Sequence, residues 1–177
     1  MYILSFGWVL GNAAVPFFIF IAAPITKPYE NYVHHYFVKL AKQKLERMPE
    51  LTVVAITGSY GKTSTKFMIR DLLSERFSVC STPGSYNTPM GICKVINNDL
   101  EAHHQVLVLE MGARYEGNID ELCNIAEPDI SVITNVGIAH LETFGSQDAI
   151  AKTKSAIVRR AKPGGTIVLN ADDERVD

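Results

Sequence analysis

From Leu51 onward, short uninterrupted apolar runs alternate with stretches of helical periodicity: TVVAIT (52–57), FSVCS (77–81), QVLVLE (105–110), ISVITNV (130–136) and TIVLN (166–170). Most of these runs lack the in–out alternation of a half-exposed strand, which marks strands buried on both faces. The intervening stretches predict helices over 62–75, 90–99, 117–126 and 146–161, the last closed by Gly164 and Gly165 after Pro163. Repeated strand–helix–strand units imply an α/β fold, a doubly wound, mainly parallel sheet. In such a sheet ligands collect beyond the carboxyl ends of the strands, so function is read first in the residues that follow each one.

The first strand runs into Thr57-Gly58-Ser59-Tyr60-Gly61-Lys62-Thr63-Ser64 at the start of a predicted helix. A glycine-rich turn at a helix N-terminus offers backbone N–H groups to phosphate, a lysine neutralises the terminal phosphates, and a threonine hydroxyl can ligate Mg²⁺. Ile56 stands where the common GxxxxGK[ST] spacing wants its first glycine, so the loop is a shorter TGxxGKT[ST] variant of a P-loop. The third strand ends at Glu110, an oxygen ligand suited to Mg²⁺. The fourth ends at Asn135, with His140 close behind. Both project from the same sheet edge as the phosphate loop. Imidazole is a less typical Mg²⁺ ligand, and a surface loop histidine is the plain alternative for His140.

The first 26 residues carry no acidic or basic side chain. As a helix, their apolar run would extend roughly 39 Å, against a hydrocarbon core of ~30 Å. Trp8 on one side and Tyr29, Tyr32 and Tyr36 on the other suit the two interfaces. A transmembrane segment is therefore expected over 1–26. No basic residue precedes the run, which disfavours a cleaved signal peptide; a buried helix or hairpin is the other alternative. Lys27, Lys39, Lys42, Lys44 and Arg47 outnumber Glu30 and Glu46, which puts the following body on the cytoplasmic side. Residues 27–50 read as a basic juxtamembrane helix or linker able to lie on anionic lipid, ended by Pro49.

Charge balance narrows the partners. Seventeen Lys+Arg against 19 Asp+Glu give no polyanion-binding signal, so no nucleic acid is expected. With 47% hydrophobic residues the chain can build a core. Cys80, Cys93 and Cys123 are odd in number and widely spaced, which indicates neither a disulfide framework nor a zinc ribbon.

TGSYGKTST (57–65), GSYNTPMG (84–91), EMGA (110–113) and NVGIAHLETFGSQDAIAKTKSAI (135–157) resemble, in order and spacing, the ATP-dependent Mur ligases of peptidoglycan synthesis. The resemblance covers about residues 50–177 and is closest to the branch that adds D-alanyl-D-alanine to UDP-N-acetylmuramoyl-tripeptide. It implies a central ATP-binding domain over 51–177, truncated on its C-terminal side. The expected activity is ADP-forming amide ligation, with ATP and Mg²⁺ as cofactors and a UDP-muramoyl-peptide and D-alanyl-D-alanine as substrates. The implied location is the bacterial cytoplasmic membrane, single-pass.

By the same resemblance Gly58, Gly61, Lys62 and Thr63 would hold the β- and γ-phosphates and one Mg²⁺, with Glu110 on that metal. Asn87 would lie near the γ-phosphate and His140 at a second metal. Lys154 falls where these ligases carry a carbamylated lysine, an anion able to support a metal that an ammonium would repel. Lys152, two residues earlier, points about 200° away around a helix. Thr57, Ser59, Tyr60, Ser64 and Asn135 complete the expected nucleotide contacts. The chain by itself is expected to be a fragment that binds nucleotide weakly and ligates nothing. Other readings are a folylpolyglutamate-type or other amino-acid ligase, a membrane-tethered P-loop switch, and a non-catalytic scaffold.

Overall fold

The computed structural model describes the backbone of residues 2–176 and the side chains of residues 14–176 other than 17 and 23. It has two compact units, Met1–Tyr36 and Phe37–Asp177. Helix α1 (Tyr2–Glu46) supplies all the described structure of the first and opens the second.

Among the described residues no helix is long and apolar enough to cross a membrane. Helix α1 continues without a break through Lys27 and Glu30. This corrects the expected transmembrane segment and the single-pass location; the part of that expectation resting on side chains 1–13 lies outside the described residues. The end of α1 packs within the second unit. Ala41 is fully buried, and Lys42 and Lys44 donate to Asn124 Oδ1 and the Asn97 carbonyl, each at 3.0 Å.

In the second unit all five strands are parallel: β1 (Thr52–Thr57), β2 (Val79–Ser81), β3 (Val106–Glu110), β4 (Ile130–Ile133) and β5 (Thr166–Leu169), in the order β2-β3-β1-β4-β5. Each begins within two residues of its sequence run. Six helices follow: α2 (Lys62–Ser74), α3 (Pro89–Asn98), α4 (Asn118–Ile125), α5 (Leu141–Phe144), α6 (Gln147–Lys154) and α7 (Ala156–Arg159). Helix α3 starts where Thr88 caps the Gly91 N–H at 3.3 Å and Pro89 occupies the first turn. Ser146 caps α6 in the same way through the Ala149 N–H. The single helix expected over 146–161 is two, joined at Ser155, and α5 was not expected.

Helix α2 covers one sheet face, setting Ile69 and Leu73 on Val54, Ile56, Val106, Val108 and Val132. The opposite face carries α3, α4, α6 and α7, whose Ile92, Ile96, Leu122, Ile150 and Ile157 are all fully buried. Burial of each such side chain contributes about 1.5–3 kcal/mol. The sheet is therefore doubly wound. Its central strand β1 lies between β3 and β4, with Ile56 level with Glu110 and Thr57 level with Ile133. That register brings the three strand ends carrying the sequence motifs to one edge.

Candidate phosphate and metal site

Gly61, the residue before α2, has φ 77°, a left-handed conformation that glycine adopts without strain. Its carbonyl accepts the Thr65 N–H at 2.9 Å, so the 58–61 turn closes directly onto the helix N-terminus and aims N–H groups outward, as anion binding requires. A Cβ on Gly58 would sit 1.9 Å from Thr134 Oγ1, so the loop lies flat against the end of β4.

Asn135 is the brace of this loop. Its Oδ1 accepts the N–H groups of Ser59 and Tyr60 at 3.1 and 2.9 Å, and its Nδ2 donates to the Tyr60 carbonyl at 3.0 Å. Ser59 Oγ donates to the Gly137 carbonyl at 3.1 Å and accepts the Gly137 N–H at 2.9 Å. Thr57 is fully buried and donates to the Met111 carbonyl at 3.0 Å. Three residues expected to touch nucleotide thus spend their side chains on the scaffold. Tyr60 and Ser64 are exposed at the rim.

Lys62 donates to the Gly58 carbonyl at 2.9 Å. Burial lowers its pKa, and the Glu110 carboxylate opposes that shift. Thr63 Oγ1 donates to Glu110 Oε2 at 2.8 Å, and Asn87 Nδ2 donates to Glu110 Oε1 at 2.9 Å. Glu110 itself is 1% exposed. A fully buried lysine, Lys66, completes the cluster, its ammonium 3.3 Å from Glu110 Oε2 and also donating to the Gly84 carbonyl. Lys66 and Arg114 were missed in the sequence. Lys66 was findable, because it lies one turn beyond Lys62 and Thr63 on the same helix face. Arg114 follows the EMGA motif and carried no spacing signal.

A cleft of about 550 Å³ opens over this edge, lined by Gly58, Lys62, Asn87, Arg114, His140 and Lys154 among others. His140 is exposed and has φ 61°, the one non-glycine residue with positive φ among the described residues. Such strain collects at functional positions. Lys154 is 5% exposed, and its pKa is pushed down to about 8, by burial first and by Lys62 second. Lys152 points outward, 74% exposed and 4.0 Å from Glu116. A second cavity of about 690 Å³, at the opposite sheet edge around Pro49, Leu73 and Phe77, has no phosphate loop or buried ion pair.

Among the described residues no three His, Cys, Asp or Glu side chains group closely enough to hold a metal by themselves. Mg²⁺ does not need that: it is usually held by one or two carboxylates, substrate phosphates and water. The adjacent oxygens of Thr63 and Glu110 fit it. Lys154 as an amine or ammonium supplies no oxygen ligand and would do so only when carbamylated.

A short phosphate loop between a buried strand and a helix, facing a carboxylate from the next strand, defines a P-loop type nucleotide domain. The chain belongs to the Mur ligase family: its residues 56–177 match the Mur ligase middle domain. It is 44% identical over 128 residues to the UDP-N-acetylmuramoyl-tripeptide–D-alanyl-D-alanine ligase of Mycobacterium bovis, covering 71% of this chain and 24% of that protein. MurF from Acinetobacter baumannii superposes with a TM-score of 0.77 at 34% identity, over 81% of this chain and 31% of that one. MurF ligase from Thermotoga maritima in complex with ADP gives 0.74 at 43% identity, over 78% and 32%. The chain thus spans about a quarter of the length of the curated relatives it matches.

Proposed function

We propose that the chain is the nucleotide-binding, carboxylate-activating part of an ADP-forming ligase that joins D-alanyl-D-alanine to a UDP-muramoyl-tripeptide. The observation that carries this reading is that Lys62 and the buried Lys154 line one cleft, with the Thr63–Glu110 pair directly behind Asn87 and Lys62. The names of the relatives supply the substrates.

The chemistry has one main electrostatic obstacle. A substrate carboxylate must approach the γ-phosphate of ATP, and two anions about 4 Å apart repel by about 4 kcal/mol at an effective dielectric near 20. Lys62 and the N–H groups of the 58–61 turn offset that repulsion and stabilise charge on the transferring phosphoryl group. The carboxylate becomes an acyl phosphate and ADP leaves. The amine of D-alanyl-D-alanine then attacks the acyl carbon, phosphate departs, and the amide forms. Mg²⁺ held by Thr63 and Glu110 would neutralise phosphate charge. Asn87 fixes the Glu110 carboxylate that receives it. His140 and carbamylated Lys154 are proposed as the second metal-binding group, for which the depressed Lys154 pKa provides a reactive neutral amine.

The test is ATP consumption by the full-length protein with and without UDP-MurNAc-tripeptide. Turnover that requires the tripeptide supports the ligase. Turnover at the same rate without any carboxylate substrate points to a nucleotide switch instead.

A further inference from the structure

Lys66 is the largest buried charge that the proposed chemistry leaves without a task. Its side chain is fully buried, its ammonium lies 3.3 Å from Glu110 Oε2, and it also donates to the carbonyl of Gly84. The same carboxylate oxygen takes the Thr63 hydroxyl, and the other takes the Asn87 amide. Both oxygens of the expected metal ligand are therefore already engaged by donors, one of them a full positive charge held out of water. Lys62 adds a second cation that interacts with Glu110. One carboxylate faced by two lysines leaves this corner net positive.

We infer that Lys66 is a positioning residue that makes the Thr63–Glu110 metal site conditional on nucleotide: a free divalent cation is repelled, and the metal enters only together with polyphosphate. The inference rests on the nucleotide-binding reading above. The physical basis is a reversal of sign. Without phosphate, a divalent ion gains a carboxylate already neutralised at 3.3 Å and meets like charge. A nucleoside diphosphate or triphosphate brings several negative charges onto Lys62 and the loop N–H groups, and the corner then attracts the cation. Lys66 also ties α2 to the 84–91 loop through Gly84, so the carboxylate, Asn87 and the phosphate loop are held as one unit. A buried ammonium holds its partner in place, whereas a solvent-exposed lysine would be screened and free to turn away.

Mn²⁺ serves as the probe, because its paramagnetic resonance signal separates free from bound ion, and Mn²⁺ chelated by ADP in a protein-free reference is subtracted. Its binding is measured to the 177-residue chain alone and with saturating ADP, for the wild type and for Lys66→Met, with far-UV circular dichroism reporting the fold. Wild type should bind Mn²⁺ alone roughly tenfold or more weakly than with ADP. Lys66→Met should tighten Mn²⁺ binding in the absence of ADP by roughly tenfold and shrink the gain that ADP confers. A merely structural lysine moves the other way, since its loss disorders the site and weakens both measurements. Wild type binding Mn²⁺ equally with and without ADP overturns the inference, whether or not the variant folds. So does a folded Lys66→Met that gains nothing for Mn²⁺ alone. Failure to bind ADP under any condition overturns the nucleotide reading as well, which separates the two failures.

Discussion

The hydroxyl of Thr63 donates to Glu110 Oε2 at 2.8 Å, joining the first turn of α2 to the last residue of β3 across 47 residues of sequence. Parallel pairing of β1 with β3 makes this meeting possible, since it sets Ile56 level with Glu110 and lets the loop after β1 fold back over the carboxylate. The first prediction follows from what else Glu110 holds. Glu110→Ala leaves the Lys66 ammonium buried without its carboxylate and should destabilise the chain by about 3–5 kcal/mol. Glu110→Gln keeps an acceptor and should cost less, yet abolish the Mg²⁺ dependence of ADP binding. Urea unfolding and calorimetric titration of ADP with and without Mg²⁺ measure both effects.

Asn135 makes three side-chain hydrogen bonds to the backbone of Ser59 and Tyr60. Asn135→Ala should cost about 1–3 kcal/mol of stability. It should also weaken ADP binding roughly tenfold by loosening the loop, since one unit of 1.4 kcal/mol is that factor. Asn135→Asp keeps the acceptor for both N–H groups and should fall between the two. Equal ADP affinity in wild type and Asn135→Ala would show that the loop holds its shape without the brace.

Gly58→Ala brings a methyl group to 1.9 Å from Thr134 Oγ1, a distance no contact tolerates. Thr134 in turn donates to the Tyr60 carbonyl at 2.7 Å, so relief of the clash breaks a loop hydrogen bond. A loss of about 1–3 kcal/mol in denaturant unfolding is expected, together with weaker ADP binding.

Lys154 sets a pH dependence. Its pKa of about 8 in the folded chain lies below the 10.5 of the unfolded one. Between these values the unfolded chain binds more protons, so the Lys154 contribution to stability rises with pH from about 8 to 10.5. Below that window both states are protonated and the burial penalty is full. In CO₂-free buffer Lys154→Met should remove this rise and be the more stable protein below about pH 8. With ¹³C-labelled bicarbonate, the neutral amine above about pH 8 should give a carbamate resonance that is absent from Lys154→Met. A resonance of equal intensity in the variant would place the carbamate elsewhere.

Much of the fold was legible because its signals are local. Continuous apolar runs located the strands β1 to β5, and the TGSYGKTS turn located the phosphate loop, since a glycine-rich entry to a helix has few other uses. The family's motifs separated Lys154 from Lys152; in the structure the first is buried and the second exposed. Side-chain assignments within the loop were less legible. Asn135, Ser59 and Thr57 are polar residues beside a phosphate loop, and nothing in spacing distinguishes a brace from a ligand contact. Lys66 was passed over because a lysine in a helix is ordinarily solvated, although its spacing from Lys62 and Thr63 sets it on their helix face; the sheet register then puts Glu110 beside it. The membrane segment failed for a different reason. Absence of charge over 26 residues measured apolarity, whereas α1 is one helix that runs on into its charged residues, and among the described residues no helix is long and apolar enough to cross a membrane.

The most direct test of nucleotide binding at the 57–64 loop is calorimetric titration of MgADP into wild type and Lys62→Ala. Saturable one-to-one binding by wild type, weakened at least roughly tenfold in Lys62→Ala with its fold intact, is the predicted result. Indistinguishable affinity in the two proteins, or no binding by wild type, would contradict it.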